Sequence, residues 1–403
     1  MKELNTDIAC IKLANTHVIP VTSPEIGREF LRKYDSVFAW RPITMGTEYS
    51  SQGFLIIAVV PFGYQWKKMR RVVASEIVTP ARLRWLLAKR NEEADNLVSA
   101  ESSLLALSDY IPWLRPLDLE GHEKIVSEAM RIISGYHDPI VDERVKEWKD
   151  GKRMETEDLL DALILAKNVQ GKPVLSVEEI KAQCTEIMFA TVDNPANAAE
   201  WAMAEMLNRP GILRKATDEI ERVVGHQRWV QESDIPRLNY VKACAREAFR
   251  LHPVSPFNLP HVSNADSVVA GYFIPKGSHV LLSRIGLGRN PKVWDEPLVF
   301  QPERHFKHDG SYEEIDLTES ELKFISFSTG RRACMGVALG SAMTVMLLAR
   351  LIQGFSWRLP PNVAEIDLSE SKNIFSWPNL CMQCLHLACL QMNCIRPINY
   401  HYH

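Results

Sequence analysis

The sequence predicts a mainly α-helical domain with small β-sheets, in the α+β class. Three observations carry that expectation. Helical apolar patterns dominate from about residue 64 to residue 251. Residues 253–284 then change to short strands and turns (VVAGYFIPKGSHVLL). A last apolar helical pattern, VALGSAMTVMLLARLIQ, follows a segment rich in glycine and arginine. The 403 residues, 46% hydrophobic and 24% charged, are enough for one large core. A net charge of −3 gives no sign of a nucleic-acid partner.

Taken in order, residues 8–22 are rich in Ile, Val and Thr and read as strand. The apolar run GFLIIAVVPF, residues 53–62, is about half of the roughly 20 residues a membrane helix needs. Gly and Pro bracket it. The opening MKELNTDIAC has no apolar segment of signal or anchor type, so a chain that does not span a membrane is expected. The clearest helix covers residues 176–208. Ser176 and Glu179 form an S-x-x-E capping box at its start, and Pro210 closes the other end. A second helix, GILRKATDEIERVVG, stops at Gly225, a residue suited to the left-handed conformation. A third, LNYVKACAREAFRL, stops before His252-Pro253 because a residue preceding proline avoids the α region. The last helix is expected to be capped by Gly354. Residues 1–373 read as one domain, and residues 374–403 as a divergent tail.

Cysteine usage divides the same way. Cys10, Cys184, Cys244 and Cys334 are scattered, as in an intracellular, reducing compartment, and the other four of the eight crowd into the tail. There Cys381, Cys384, His386, Cys389 and Cys394 invite a zinc reading. The segment lacks turn glycines and a regular second ligand pair, which argues against one.

Residues 327–340 read FSTGRRACMGVALG. Gly330 and Gly336 permit tight turns, and the helix starting near Gly336 offers free N–H groups to the sulfur of Cys334. With Arg331 and Arg332 nearby, these favour a thiolate. Such a thiolate could be a nucleophile, a redox thiol or a metal ligand. Flanked by an anion-binding arginine, it suits a cofactor that combines a metal with carboxylates, and haem is one.

The spacing F-x-x-G-x-R-x-C-x-G, as Phe327, Gly330, Arg332, Cys334 and Gly336, resembles the haem-binding signature of the cytochrome P-450 monooxygenases. The resemblance makes Cys334 the haem iron ligand and Arg332 a propionate partner. Other landmarks follow in order. Glu247 and Arg250 form E-x-x-R and, with Arg304 in Pro302-Glu303-Arg304, resemble the family's buried Glu-Arg-Arg network. Trp66 and Arg70, at W-x-x-x-R, resemble residues that face one propionate. His261, in FNLPH, resembles the basic residue that meets the other.

The centre of the long helix reads FATVDNPANAAEW. Ala190 and Asp193 match a family pattern that binds oxygen and relays protons, while Asn194 replaces the expected threonine. Pro195 lacks an N–H, so the carbonyl of Thr191 loses its helical partner, and a kink there could hold a water or a substrate amine. The D-N-P variant, FNLPH and PERH resemble the plant amino-acid N-monooxygenases that form aldoximes. The implied reaction is two N-hydroxylations, then dehydration and decarboxylation. Haem b, molecular oxygen and NADPH acting through a separate reductase would be required. Phe257, Asn258 and Phe189 are expected to line the substrate pocket. By family analogy the location would be the cytosolic face of the endoplasmic reticulum membrane, attached by an anchor this sequence does not show. The segment between Trp66 and the long helix reads as short for the family, which leaves an inactive relative as the competing expectation.

Overall fold

The computed structural model describes residues 6–85, 122–306, 314–359 and 363–369. The cysteine-rich tail, with its five candidate zinc ligands, lies outside the described residues. The opening strand pattern becomes a hairpin, β1 (Ile11–Leu13) and β2 (Thr16–Val21). Four short helices follow: α1 (Pro24–Arg28), α2 (Met45–Ser50), α3 (Tyr64–Val72) and α4 (Pro80–Trp85). The run at 53–62 forms turns rather than a strand or helix.

Helices α5 (His122–Lys149) and α6 (Leu159–Leu165) lead into the longest element, α7 (Val177–Leu207). At 1.5 Å per residue its 31 residues span about 46 Å. Its capping box is formed. The Glu179 N–H donates to Ser176 Oγ at 3.2 Å, and the Ser176 N–H to Glu179 Oε2 at 2.8 Å. Lys68 Nζ also reaches Glu179, at 2.7 Å, which pins α3 to the start of α7. Then come α8 (Pro210–Val223) and α9 (Asn239–Leu251). Gly225 follows α8 with φ +77°, as its position predicts.

After α9 the chain forms β3 (His261–Val262), β4 (Ser267–Val269), β5 (Tyr272–Ile274) and β6 (His279–Leu282), then α10 (Arg284–Gly288) and finally α11 (Val337–Gly354). One sheet has the order β1-β2-β6-β3, with β2 and β6 parallel and the other pairs antiparallel; β4 and β5 form a separate hairpin. The parallel pair joins strands more than 250 residues apart in sequence, which ties the start of the chain to its last third.

The main core lies between α7, α8, α9 and α11, around Trp201, Met203, Cys244, Ala248, Val345 and Leu348. By length and composition α11 could cross a membrane; its packing against α7 and α9 makes it a core helix of this fold. Gly354 differs from expectation. It is the last residue of α11 rather than a left-handed cap, and a Cβ there would meet the Trp229 ring at 2.9 Å, so close packing explains the glycine.

Candidate functional site

Cys334 is held by the loop before α11. Its N–H donates to Phe327 O at 2.9 Å, and the Ala333 N–H to Gly330 O at 3.0 Å. Gly330 has φ +76°, and a Cβ there would lie 1.9 Å from Leu31 O, so no other residue fits the turn. Gly336 behaves differently from the prediction. Its φ of −85° is open to any residue, and as the N-cap of α11 it directs its N–H at the thiol. A side chain there would approach Cys334 Sγ, 3.8 Å from an added Cβ. Phe327 packs edge-on to Phe249 of α9 at 5.7 Å and against Gly340, which braces the loop on both helices.

The cations beside the sulfur are not the pair the sequence suggests. Arg331 points outward and pairs with Asp35 at 3.2 Å. Arg332 turns away, its Nε donating to Ala39 O (2.7 Å) and its two terminal nitrogens to Ile57 O (3.0 Å) and Val60 O (2.7 Å). The arginines whose charge acts on Cys334 are Arg70 and Arg284. Burial pushes the thiol pKa up, and the Gly336 N–H and these two arginines oppose it. A bound metal ion would tip that balance to thiolate, because a coordinating thiol is deprotonated by the metal's own charge.

Around the thiol the chain gathers Arg41, Arg70, Arg284 and Arg332, which form no ion pair with a carboxylate among the described residues. Arg41 donates to Ala58 O (3.0 Å), Leu259 O (3.1 Å) and Pro260 O (2.8 Å), and burial lowers its pKa to about 9. Arg70 gives one hydrogen bond, to Ala333 O at 3.2 Å. The Trp66 ring lies between two guanidinium groups, with Arg70 Cζ 5.3 Å and Arg332 Cζ 5.0 Å from its centroid. Among the described residues the buried Trp66 Nε1 has no hydrogen-bond partner, and neither does Arg284 Nε. His261 is buried beside Arg41 and Arg332. Its Nδ1 is 2.7 Å from Phe38 O, and desolvation drives its pKa well below 6.5. It is a neutral ring here rather than the cation the sequence suggests.

Glu186 on α7 organises part of this group. It accepts the N–H groups of Ile57 (2.7 Å) and Ala58 (2.8 Å) and Gln183 Nε2 (2.9 Å). The carbonyls of the same loop then hold Arg332 and Arg41. Burial raises the Glu186 pKa, opposed by those N–H groups and by Arg332.

Behind the loop the predicted Glu-Arg-Arg network is complete. Glu247 and Arg250 have no exposed side-chain surface. Arg250 Nη2 reaches Glu247 Oε1 at 2.7 Å and Nε reaches Oε2 at 2.8 Å, while Arg304 Nε adds a bond to Oε1 at 3.0 Å. His305 is a fourth member that the sequence reading gave no role. Its Nε2 lies 2.8 Å from Glu247 Oε2, and Arg246 Nε donates to its Nδ1 at 3.2 Å. With Nδ1 accepting, the proton lies on Nε2 and is donated to the carboxylate.

The helix centre and the pocket residues fall in two groups. α7 runs on through Asn194-Pro195. Asn194 is exposed, and its Nδ2 donates back to Ala190 O at 3.2 Å; Thr191 Oγ1 donates to Ile187 O at 2.7 Å. Ala190 and Asn194 are both exposed one turn apart in the middle of the longest helix, with Asp193 half-buried beside them. Phe257 is 40% exposed and Phe189 half-buried. Asn258 is not one of them. It is 5% exposed, and its Oδ1 accepts the Leu282 N–H at 2.7 Å, so it fastens its segment to β6.

A glycine-turned thiol at a helix start, surrounded by arginines that form no ion pair among the described residues, is the arrangement of a haem-thiolate protein. The donor set fits the group: one sulfur for iron, and guanidinium and indole N–H donors for two propionates. The cytochrome P450 family model matches residues 95–385, and the chain belongs to that family. It is 57% identical to phenylalanine N-monooxygenase of Arabidopsis thaliana over 93% of this chain and 82% of the relative. It is 53% identical to a tryptophan N-monooxygenase of Prunus mume (92% and 81%) and 49% identical to tyrosine N-monooxygenase of Sorghum bicolor (93% and 78%). A zebrafish cytochrome P450 solved with progesterone superposes with a TM-score of 0.74 at 22% identity, covering 94% of this chain and 96% of that one. The first alignment runs over 439 positions, more than the 403 residues of this chain, so the relative carries internal residues that this chain lacks.

Arg41, Arg284, Glu186 and His305 are the site and network residues that sequence reasoning missed. Two had a signal. Glu186 precedes Ala190 and Asn194 at helical spacing, and Arg284 is a lone charge directly after an apolar strand.

Proposed function

We propose that this chain is a haem-dependent monooxygenase that N-hydroxylates an amino acid and yields an aldoxime, consuming molecular oxygen and NADPH. The observation that carries this is the 57% identity with an amino-acid N-monooxygenase across a chain that keeps the Cys334 loop and its arginines. Haem held by Cys334, Arg332, Arg70, Trp66 and His261 would supply the oxygen-activating chemistry.

The chain's own part is binding, orientation and proton handling. Asn194 and Ala190 present a turn of α7 that Pro195 leaves one N–H short, so the Thr191 carbonyl is an acceptor for a water or the substrate amine. Asp193 is the carboxylate beside that turn. Phe257 and Phe189 offer an apolar wall for a side chain.

A membrane-associated NADPH-dependent haemoprotein reductase is the electron donor in this reading, and the cytosolic face of the endoplasmic reticulum is the location. The test is turnover of the haem-loaded protein with such a reductase, NADPH and each of phenylalanine, tryptophan, tyrosine, isoleucine and valine. Aldoxime formed from at least one is expected. NADPH oxidation without aldoxime from any proteinogenic amino acid would leave the inactive-relative reading standing.

A further inference from the structure

We propose that Arg284 is a carboxylate-binding residue of the haem site, clamping the α-carboxylate of the substrate or a haem propionate. The first source rests on the N-hydroxylation reading above; the second does not.

The backbone at Arg284 is fixed on both sides. Its N–H donates to Pro256 O at 2.9 Å, and the preceding Ser283 bridges Phe257 and caps α10 by accepting the Gly286 N–H at 2.9 Å. The residue is therefore built onto the segment that presents Phe257. Its Nε is enclosed and, among the described residues, without a partner. Arg284 and Cys334, the iron ligand, lie near enough to act on each other electrostatically.

The other arginines differ. Arg41 and Arg332 each give three hydrogen bonds to carbonyls, and Arg70 gives one. Burial lowers the Arg284 pKa only to about 10, so it is charged at neutral pH. A charged guanidinium whose enclosed Nε has no acceptor among the described residues is costly, and its planar fork matches a carboxylate in two hydrogen bonds. In the haem-binding reading above, Arg332, Arg70, Trp66 and His261 are assigned to the two propionates. An amino acid brings a third carboxylate into the same low-dielectric space, and Arg284, unlike Arg41, has no carbonyl acceptor among the described residues to compete for it.

The test compares the parent with Arg284→Gln, Arg284→Lys and Arg284→Met. Haem content and the reduced carbon-monoxide spectrum report the propionate source. Spectral titration with amino acids, and with the same compounds lacking the carboxylate, reports the substrate source. For a substrate clamp, Arg284→Gln loses on the order of 10- to 100-fold in amino-acid affinity, the range for a charged hydrogen bond. Affinity for the amine is unchanged, and Arg284→Lys restores part of the loss. For a propionate clamp, Arg284→Gln releases haem and Arg284→Lys retains more of it.

Either pattern supports the proposal. Haem content and amino-acid affinity equal to the parent in Arg284→Gln overturn it. The melting temperature of haem-free Arg284→Met separates binding from a structural role. A binding arginine has no partner to lose, so Met leaves that temperature unchanged or raised; a marked fall also overturns the proposal. A parent that gives no shift with any amino acid refutes the N-hydroxylation reading instead. Arg284 is then decided by haem retention alone.

Discussion

Glu247 allows the buried network to be tested quantitatively. Its carboxylate accepts five hydrogen bonds, from Arg250 twice, from Arg304 and His305, and from the Gln301 N–H at 3.0 Å, with no exposed surface. Desolvation raises its pKa. The hydrogen bonds and charges of Arg250 and His305 more than offset this and hold it at about 2, against an ordinary 4.5. At about 1.36 kcal/mol per pKa unit, the ionised carboxylate contributes roughly 3 kcal/mol. That agrees with the 3–5 kcal/mol typical of breaking a buried pair.

The perturbation is Glu247→Gln, which keeps the shape and removes the charge. Because the folded pKa is depressed, the stabilisation is fully present above about pH 4.5 and is lost as pH falls toward 2. Urea unfolding of the haem-loaded protein, followed by far-UV circular dichroism, should show the variant about 3 kcal/mol less stable at pH 7. Its melting temperature should fall by about 4 °C for a chain of this size. The gap should narrow between pH 4.5 and 3. A variant as stable as the parent at pH 7, or a gap unchanged at pH 3, refutes the assignment of that energy to the carboxylate charge.

Cys334→Ala should abolish the thiolate-type spectrum of the reduced, carbon-monoxide-bound protein, and a retained thiolate signature would remove Cys334 from the ligand position. Gly330→Ala combines a left-handed φ with overlap on the Leu31 carbonyl. It should cost more than about 3 kcal/mol in urea unfolding and lower haem content. Asn194→Ala changes an exposed side chain, so stability should move by no more than about 0.5 kcal/mol. Aldoxime formed per NADPH oxidised should fall on the order of tenfold if Asn194 orders the water that carries the proton.

The parts legible in the sequence are those written at fixed short spacing. The cysteine loop, the E-x-x-R pair, the W-x-x-x-R turn and the Ser176 capping box each fit within one element or one turn, where local geometry fixes what residues three or four apart can do. The illegible parts join distant segments. Arg41 meets Leu259, 218 residues away, and Arg332 meets Ile57, 275 away. No spacing rule encodes those meetings. The same limit explains two misassignments. Arg331 and Arg332 are neighbours in sequence, yet the turn sends one to the surface and the other under Trp66. Asn258 and Phe257 alternate along an extended segment, so only one of them can face the pocket.

The partners of the arginines separate support from binding within this one chain. Arg250 and Arg304 share the Glu247 carboxylate, and their remaining N–H groups are taken up by backbone carbonyls, so they serve the network. Arg41 and Arg332 are held by carbonyls, whose partial charges fix orientation without a direct ion pair, and Glu186 acts on Arg332 only from a distance. The loop at residues 57–60 achieves this indirectly. Two of the three donors to Glu186 are N–H groups of the loop, and the carbonyl edge of the Ile57–Ala58 peptide, whose N–H it accepts, faces Arg332. The α7 carboxylate thereby orients Arg332 through the loop without a salt bridge, and the charge stays available to an incoming propionate. Arg284, with neither carbonyl nor carboxylate, lies at the far end of that series, which is why its occupant is the most informative thing to identify next.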